Sequence, residues 1–279
     1  MEKKYIFIYI FQFVLIIIYL AYNFNFKDQI KDKINTVKDQ IKDKMNIIKE
    51  KIKTDLNNIH KKIILIHGSL EEEYPEQLLS VKYIKPTDIV LEIGGNVGRN
   101  SCTIGTILND SKNLLVIESD PENSIKLKEN RNNNNLHFLI EDSAISNVDL
   151  YQNYWTTKPL NEINDIENWK KINTKSWNEI KNKYNMNFTT LVVDCEGALY
   201  YIIKENPNFV EQFNKIIIEN DFTDIEHKKF VDKNFKKYNF EKIYSEGPER
   251  IYFDDIKYTD EEYTNIAFTS SFYEVWIKK

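Results

Sequence analysis

The feature that most constrains the fold of this chain is a glycine turn at residues 92–98, which read EIGGNVG. The 279 residues include only seven glycines, and three of them lie in this turn. An apolar, β-rich run precedes the turn, and a helical pattern follows it. Glycine permits positive φ and close backbone approach, so a strand–turn–helix unit of this kind presents free backbone N–H groups to a ligand.

Beyond residue 64, short apolar runs alternate with helical stretches. The β-rich runs lie at 89–95, 114–119, 136–141, 190–197, 215–221 and 272–278, and the helical stretches at 101–108, 121–131, 198–206 and 225–238. Near-continuous apolar strands joined through helices predict an α/β fold, with a mainly parallel sheet covered by helices on both faces. Ligands of such sheets bind at the carboxyl ends of the strands, where the strand order reverses.

Acidic residues at the ends of the first three strands indicate which nucleoside this site takes. The turn lacks the middle glycine of a dinucleotide fingerprint, because Asn96 stands in its place. Glu92 would repel a pyrophosphate, but it suits the cationic end of a sulfonium amino acid. Glu118 is placed to accept both ribose hydroxyls, and Asp142 to accept the adenine amino group. Each acid alone is more typical of a solvated turn, but the ordered set predicts S-adenosylmethionine. The predicted cofactor-binding residues are Glu92, Gly94, Gly95, Asn96, Gly98, Glu118, Ser119, Asp142, Ser143 and Ala144.

Two more acids follow the fourth strand and are the predicted catalytic residues. Asp194 is the first candidate for a general base, which would add about 10²–10⁴-fold to methyl transfer, and Glu196 is the second. The alternative role for Glu196 is to cap the next helix. Glu219 and Asn220 follow the fifth strand and are predicted to line the acceptor pocket without a metal. An all-oxygen Mg²⁺ site formed by Asp194, Glu219 and Asn220 is the alternative.

The N-terminal residues 1–26 are predicted to be a transmembrane anchor. The stretch 5–22 is uncharged and apolar except for Gln12, and as a helix it would span roughly 27 Å. A cleaved signal peptide and a buried helix are the alternatives. Lysines after the span predict a single-pass membrane protein with its domain in the cytoplasm, although sequons at 109–111 and 187–189 permit a lumenal location.

Residues 27–63 form an eleven-residue repeat that predicts one long amphipathic helix. The units are KDQIKDKINTV, KDQIKDKMNII and KEKIKTDLNNI, and eleven residues in three turns are close to the α-helical period. Lysines border the apolar stripe, and most acids lie opposite it. Three interpretations stay open: a helix on an anionic membrane surface, a coiled coil that joins copies of the chain, or a spacer packed on the remaining domain, residues 64–279.

Charge and cysteine content exclude other classes of protein. The net charge is −5, which argues against a protein that wraps nucleic acid. The two cysteines, Cys102 and Cys195, lie far apart, so neither a disulfide scaffold nor a cysteine zinc site is expected.

Five stretches resemble the FkbM-type methyltransferases. They are VLEIGGNVGRNS (90–101), VIESDPENSIKLKENRNNN (116–134), DSAIS (142–146), TLVVDCEGALYYIIKENP (190–207) and IIIEND (216–221). The resemblance covers roughly residues 80–225 and extends to divergent members of large DNA viruses. It implies a Rossmann-like class I fold and S-adenosylmethionine-dependent methyl transfer to a hydroxyl of a glycan or small metabolite.

One departure from the family leaves rival functions open. The family usually has a lysine two residues before the aspartate of its K-I-D-x-E-G motif, where this chain has Val192. A catalytically degenerate domain that serves as a membrane-anchored scaffold or binding protein is therefore the first alternative. A nicotinamide-dependent oxidoreductase is the second, although the missing middle glycine disfavours it.

Overall fold

The computed structural model describes residues 11–19, 27–222, 224–246 and 272–279, with the backbone alone at 27–34 and 246. The contacts within the chain divide it into two compact units, Met1–Thr54 and Asp55–Lys279. The predicted boundaries after residues 26 and 63 stay predictions.

The first unit contains helix α1, at residues 11–19, and most of helix α2, Lys27–His60. The repeat forms one unbroken helix here because no proline or glycine interrupts it. Its apolar stripe includes exposed side chains at Ile41, Met45 and Ile48. The three interpretations of this stripe stay predictions.

The prediction of a membrane-spanning helix over residues 5–22 is wrong. In the part of the chain that the structure describes, no helix is long and apolar enough to cross a membrane. Helix α1 has nine described residues, which span about 14 Å of a hydrocarbon core that is about 30 Å thick. Helix α2 is long enough, but lysine, aspartate and glutamate recur along it. The predicted single-pass localisation and the membrane contact through this span are therefore corrected, and residues 5–10 and 20–22 lie outside the described residues.

The second unit is an α/β domain. Its helices are α3 (Tyr74–Tyr83), α4 (Arg99–Ile107), α5 (Pro121–Asn133), α6 (Trp177–Tyr184), α7 (Leu199–Glu205) and α8 (Ile225–Lys237). Its strands are β1 (Val90–Ile93), β2 (Leu114–Ile117), β3 (Leu139–Glu141), β4 (Ala144–Ile145), β5 (Leu150–Asn153), β6 (Thr156–Pro159), β7 (Lys170–Lys171), β8 (Thr174–Lys175), β9 (Thr190–Val193), β10 (Lys215–Glu219), β11 (Phe240–Glu246) and β12 (Tyr273–Lys278).

The main sheet has the strand order β3-β2-β1-β9-β10-β12-β11. In this sheet, the neighbours among β3, β2, β1, β9 and β10 pair in parallel. Strand β12 runs antiparallel to both β10 and β11. This is the predicted mainly parallel sheet of an α/β fold. It differs from the dinucleotide-binding order 3-2-1-4-5-6 because β12 is inserted next to the fifth strand. The strand order reverses between β1 and β9, which therefore marks the expected ligand crevice.

The central strands are buried on both faces, which is why their sequences are mainly apolar, with Glu92 and Thr190 as the exceptions in β1 and β9. All four residues of β1, β2 and β9 are buried, and alternate residues enter two separate cores. Leu91 and Leu191 belong to one core, whereas Val90 and Val192 belong to the other. Val192 is 3% exposed, so the position at which the resembling family has lysine is here a packed core position.

The segment between β3 and β9 carries two small sheets. Strands β4 and β8 form a parallel pair, and β6-β5-β7 form an antiparallel sheet. Glu141 ties the segment to the main sheet because its buried carboxylate accepts hydrogen bonds from Lys175 (2.7 Å) and Lys183 (2.8 Å). Burial raises the pKa of Glu141, but these two lysines lower it more, so it lies below its usual value.

Candidate functional site

The glycine turn lies directly against the end of β9. Gly94 has φ +92°, and a Cβ atom at this position would lie 1.4 Å from the carbonyl oxygen of Asp194. The backbone N–H of Gly94 donates to the carbonyl of Ile117 (2.9 Å), and that of Asp194 donates to Ile93 (3.0 Å). The turn therefore brings the ends of β1, β2 and β9 together.

Gly95 and Gly98 lie where this turn packs against β2 and α5. A Cβ atom at Gly95 would lie 2.3 Å from Val116, and one at Gly98 would lie 2.5 Å from Leu127. Neither glycine lines the cavity described next. Their cofactor contacts stay predictions, and the structure places both glycines where helices α4 and α5 approach the sheet.

A cavity opens at the carboxyl ends of the strands beside this turn. Seven of the predicted site residues line it: Gly94, Asn96, Glu118, Ser119, Ala144, Asp194 and Glu196. The other lining residues are Ile93, Ile117, Ile145, Ser146, Val148, Leu150, Gln152, Trp155, Thr157, Pro159, Cys195, Ala198, Tyr201, Ile202 and Glu205. The cavity therefore extends from the glycine turn to the small antiparallel sheet and to α7.

Glu118 is fastened to the turn by both carboxylate oxygens. Its Oε2 accepts the backbone N–H of Asn96 (2.6 Å), and its Oε1 accepts that of Asp120 (2.7 Å). Burial raises the pKa of Glu118 to about 7 even though these hydrogen bonds oppose the shift. Each carboxylate oxygen has a second lone pair, so both can still accept a hydroxyl group from the cavity.

Glu92 lies beneath the turn rather than in the cavity. It is 2% exposed and accepts hydrogen bonds from Asn100 (3.1 Å) and Ser101 (2.5 Å). Burial raises the pKa of Glu92 to about 8. Its direct contacts thus hold the first turn of α4 against β1.

Of the three predicted residues after β3, only Ala144 lines the cavity. Asp142 is exposed, and its carboxylate is 3.1 Å from the Lys128 ammonium, which lowers the pKa of Asp142. Ser143 is buried and donates to Glu141 (3.2 Å). The adenine contact of Asp142 stays a prediction, and its side chain would have to leave Lys128 to make that contact.

Three carboxylates meet at the ends of β9 and β10. One carboxylate oxygen from each of Glu76, Asp194 and Glu219 lies within 4.8 Å of the other two. Glu219 and Asn220 were predicted to lie near Asp194, but Glu76 comes from α3, more than one hundred residues earlier in the chain. We call these three side chains the carboxylate cluster. Oxygen atoms in this number are a donor set that suits a hard divalent cation, whereas the predicted set contained Asn220 in place of Glu76.

Burial and mutual repulsion raise the pKa values of the carboxylate cluster. The pKa of Asp194 lies well above its usual range because of burial and the nearby charges of Glu219 and Asp221. The pKa of Glu76 is raised in the same way by burial and by Asp194. Burial also raises the pKa of Glu219. A positive charge brought to this cluster would favour the ionised carboxylates.

Glu196 and Asp221 are two further acids near Asp194, and their charges help to raise its pKa. Glu196 is exposed at the cavity edge, and helix α7 begins after Ala198 with no side-chain cap. The capping role considered for Glu196 is therefore not seen. Asp221 accepts the backbone N–H of Gly197 (2.9 Å), and burial together with Glu196 raises its pKa to about 7.

Three residues other than glycine adopt positive φ at this site. The values are 55° at Glu73, 47° at Asn96 and 52° at Glu196. Glu73 also joins the glycine turn because it accepts hydrogen bonds from Asn96 (3.2 Å) and Arg99 (2.7 Å). Backbone in the left-handed region is costly for such residues, and it is concentrated at functional sites.

The raised pKa values predict how stability changes with pH. Glu92, Glu118 and Asp221 have folded-state pKa values of about 8, 7 and 7, above the ordinary 4.5, 4.5 and 3.8. The folded state therefore holds protons that the unfolded state has lost, and this stabilisation disappears as the pH rises through 7 and 8. We expect raising the pH from 6 to 9 to lower the free energy of unfolding by at least about 1 kcal/mol.

Thermal unfolding of the full chain at constant ionic strength measures this effect. Glu141 and Glu274 have lowered pKa values, so their contribution is lost only in acid and does not reverse the trend between pH 6 and 9. Glu118→Gln should reduce the slope. A midpoint that rises with pH over this interval would contradict the assignment of buried, protonated carboxyls.

Sequence reasoning missed the residues that tertiary packing adds. Glu76 follows the acidic run 71–73, and Pro75 in the first turn of α3 is a helix-start signal, but nothing local places that helix beside β10. Trp155 and Tyr201 were also not named as site residues. Tyr201 lies in the predicted helix 198–206, and Trp155 lies between the predicted strands 136–141 and 190–197, where no element was predicted.

Comparison with known proteins identifies no family for this chain. No protein-family model matches it, and no curated protein matches it. Neither the FkbM type nor a viral source is identified.

The chain matches solved methyltransferase structures only distantly. An O-methyltransferase from Bacillus cereus, solved in complex with SAH, is 9% identical and covers 83% of this chain and 90% of its own, with a TM-score of 0.44. A putative rRNA methylase from Clostridium thermocellum is 9% identical and covers 77% and 98%, with a TM-score of 0.43. A putative O-methyltransferase from Klebsiella pneumoniae is 10% identical and covers 82% and 90%, with a TM-score of 0.40. Likenesses this weak do not bear on what the chain binds.

Proposed function

We propose that this chain is an S-adenosylmethionine-dependent methyltransferase that transfers the methyl group to a hydroxyl of a glycan or small metabolite. One observation carries the proposal: the buried acid Glu118, placed to accept ribose hydroxyls, and the half-buried acid Asp194 line the same cavity, at the point where the strand order reverses. The first suits a nucleoside and the second suits a cation, and S-adenosylmethionine contains both.

The cofactor is expected to lie along the glycine turn, with its ribose at Glu118 and its sulfonium near Asp194. Asn96 lines the cavity, and its backbone N–H donates a hydrogen bond to the Glu118 carboxylate. This arrangement aligns the nucleoside with the turn before the acceptor arrives. Holding oxygen, carbon and sulfur in line supplies much of the acceleration of such a displacement.

Asp194 is expected to act as the general base. The hydroxyl oxygen of the acceptor attacks the methyl carbon, the carbon–sulfur bond breaks with its electron pair going to sulfur, and the hydroxyl proton passes to Asp194. Burial and the neighbouring carboxylates raise the pKa of Asp194, which makes its carboxylate a stronger proton acceptor than an ordinary aspartate. The positive sulfonium would favour its ionised form. Glu196 at the cavity edge is the second candidate, and Glu219 and Asn220 are proposed to face the acceptor.

A divalent cation is the second cofactor in this hypothesis, beside S-adenosylmethionine. Glu76, Asp194 and Glu219 would hold Mg²⁺ through carboxylate oxygens, next to the predicted ligand Asn220. When bound, such an ion would polarise the acceptor oxygen. No step above depends on it.

The FkbM-type subtype rests on the sequence motifs alone. The buried position of Val192 explains how the chain accommodates the loss of the usual lysine without a charge in its core. The nicotinamide alternative is disfavoured by Asn96 in place of the middle glycine and by the antiparallel β12.

Calorimetric titration of the full chain with S-adenosylhomocysteine tests the proposed function. We expect micromolar binding of this product and no binding of NAD at the same concentrations. Repeating the titration with Mg²⁺ tests the metal hypothesis, which predicts tighter binding when the ion is present. A folded chain that binds neither S-adenosylhomocysteine nor NAD would contradict the proposal and favour the scaffold alternative.

Glu118→Gln is expected to weaken binding of S-adenosylhomocysteine about tenfold, which is about 1.4 kcal/mol. The amide keeps one acceptor oxygen for the turn but cannot accept both ribose hydroxyls. The matched control is Glu122→Gln, because Glu122 lies on α5 nearby with an exposed carboxylate. Calorimetry on both variants measures the difference, and equal affinities would remove Glu118 from the ribose site.

A further inference from the structure

The hairpin formed by β5 and β6 turns one face toward the cavity. Residues 150 and 152 of β5 and 157 and 159 of β6 line the cavity, and they pair across the hairpin as Leu150 with Pro159 and Gln152 with Thr157. Side chains alternate between the two faces of a strand. This pattern therefore identifies a whole face of the hairpin, rather than isolated contacts, as a wall of the cavity.

Trp155 lies at the tip of this hairpin. The two-residue turn consists of Tyr154, with φ +51°, and Trp155. Trp155 lines the cavity and is 57% exposed, so a large part of its ring lacks a protein neighbour. Exposing an aromatic ring of this size costs free energy that a ligand could recover.

Gln152 fixes the hairpin tip to the strand end that carries Glu118. Its Nε2 donates to the backbone carbonyl of Tyr154 (2.9 Å), and its Oε1 accepts from the hydroxyl of Ser119 (3.5 Å). Gln152 is itself buried. The tryptophan is therefore held in register with the residue next to Glu118, not on a free loop.

The wall across the cavity comes from β4 and α7. Ile145 and Ile202 supply apolar surface there, and the two elements are joined because Ser146 donates to Glu205 (3.2 Å). An apolar cleft with an aromatic ring on one side suits a flat heteroaromatic group. A nucleobase attached to a ribose at Glu118 would extend into this cleft.

We propose that Trp155 stacks on the purine of the cofactor, so that the inserted hairpin completes the nucleoside end of the site. This inference rests on the proposed function and assigns to the insertion a role in binding the cofactor. Because stacking needs only the face of the base, the energy depends on the ring of Trp155 and not on hydrogen bonds to it.

The test compares Trp155→Ala and Trp155→Phe in the full chain by calorimetric titration with S-adenosylhomocysteine and, separately, with adenosine. We expect Trp155→Ala to weaken binding of both about tenfold and Trp155→Phe to weaken it less than threefold. The matched control is Trp169→Ala. Trp169 lies in the same segment between β3 and β9, but it lines a neighbouring groove and not this cavity. Its affinity for both ligands should equal that of the wild type.

A fluorescence measurement separates stacking from a structural role. Adenosine should quench tryptophan emission in the wild type and in Trp169→Phe, and this quenching should be lost in Trp155→Phe. If Trp155→Ala binds both ligands as tightly as the wild type, the stacking proposal is overturned while the proposed function stands. A raised KM for an acceptor with unchanged cofactor affinity would likewise overturn it and assign Trp155 to acceptor binding. If the wild type binds neither ligand, both proposals fail together.

Discussion

Asp194→Asn is expected to slow methyl transfer about 10²–10⁴-fold while leaving the affinity for S-adenosylhomocysteine within about threefold of the wild type. The amide keeps the size of the side chain but cannot take the acceptor proton. The product carries no sulfonium charge, so its affinity should depend little on the lost carboxylate. Single-turnover transfer of a labelled methyl group, measured with the hydroxyl acceptor on which the wild type is most active in a panel of sugars and polyols, gives the rate.

The same substitution is expected to stabilise the protein above neutral pH. Asp194 lies beside Glu76 and Glu219, and removing one of three repelling carboxyls should raise the free energy of unfolding by about 1 kcal/mol at pH 8. The control is Asp149→Asn, because Asp149 is an exposed carboxylate paired with Lys171 at the surface. Unchanged transfer in Asp194→Asn would remove Asp194 from the mechanism, and unchanged stability would contradict the repulsion in the carboxylate cluster.

Gly94→Ala is expected to lower the free energy of unfolding by more than about 4 kcal/mol, or to prevent folding. The new Cβ would lie 1.4 Å from the carbonyl oxygen of Asp194 and 2.6 Å from its carbonyl carbon. Both atoms belong to backbone at the end of β9, which is paired to β1 and cannot move away without breaking the sheet. The φ of +92° adds strain for any residue with a Cβ.

Gly105→Ala is the matched control for this effect. Gly105 lies within α4, and its added Cβ would be 3.2 Å from Phe138 and 3.3 Å from Leu136, both side chains that can shift slightly. Alanine also has the higher helix propensity, so the two effects should leave stability within about 1 kcal/mol of the wild type. Urea unfolding followed by circular dichroism compares the variants. Equal midpoints for both would show that the glycine turn is not pressed against β9.

The sequence alone was enough for the sheet and for the position of the crevice. The strand at 114–117 is apolar throughout, the strand at 90–93 is apolar except for Glu92, and both are buried on both faces, whereas the glycines at 94 and 98 adopt positive φ. These are local properties, because a strand covered on both faces is mainly apolar and a tight turn favours glycine. Glu118, Asp194 and the other acids at strand ends could be assigned to one edge for the same reason.

Local patterns do not report which neighbour a side chain contacts. The adenine contact of Asp142 stays a prediction, and the structure pairs the exposed carboxylate of Asp142 with Lys128. The anchor over residues 5–22 was inferred from a stretch that is apolar except for Gln12, yet none of the described helices is long and apolar enough to cross a membrane.

The tertiary structure decided which distant residues share the site. Glu76 meets Asp194 and Glu219 across more than one hundred residues of chain, and the β5–β6 hairpin brings Trp155 to the cavity that begins at Gly94. The sequence by itself determined the α/β sheet, the turn and the acids at its strand ends, because each follows from a few neighbouring residues. The partners of those acids depend on how helices and insertions pack over the sheet, and that packing has no period or spacing in the sequence.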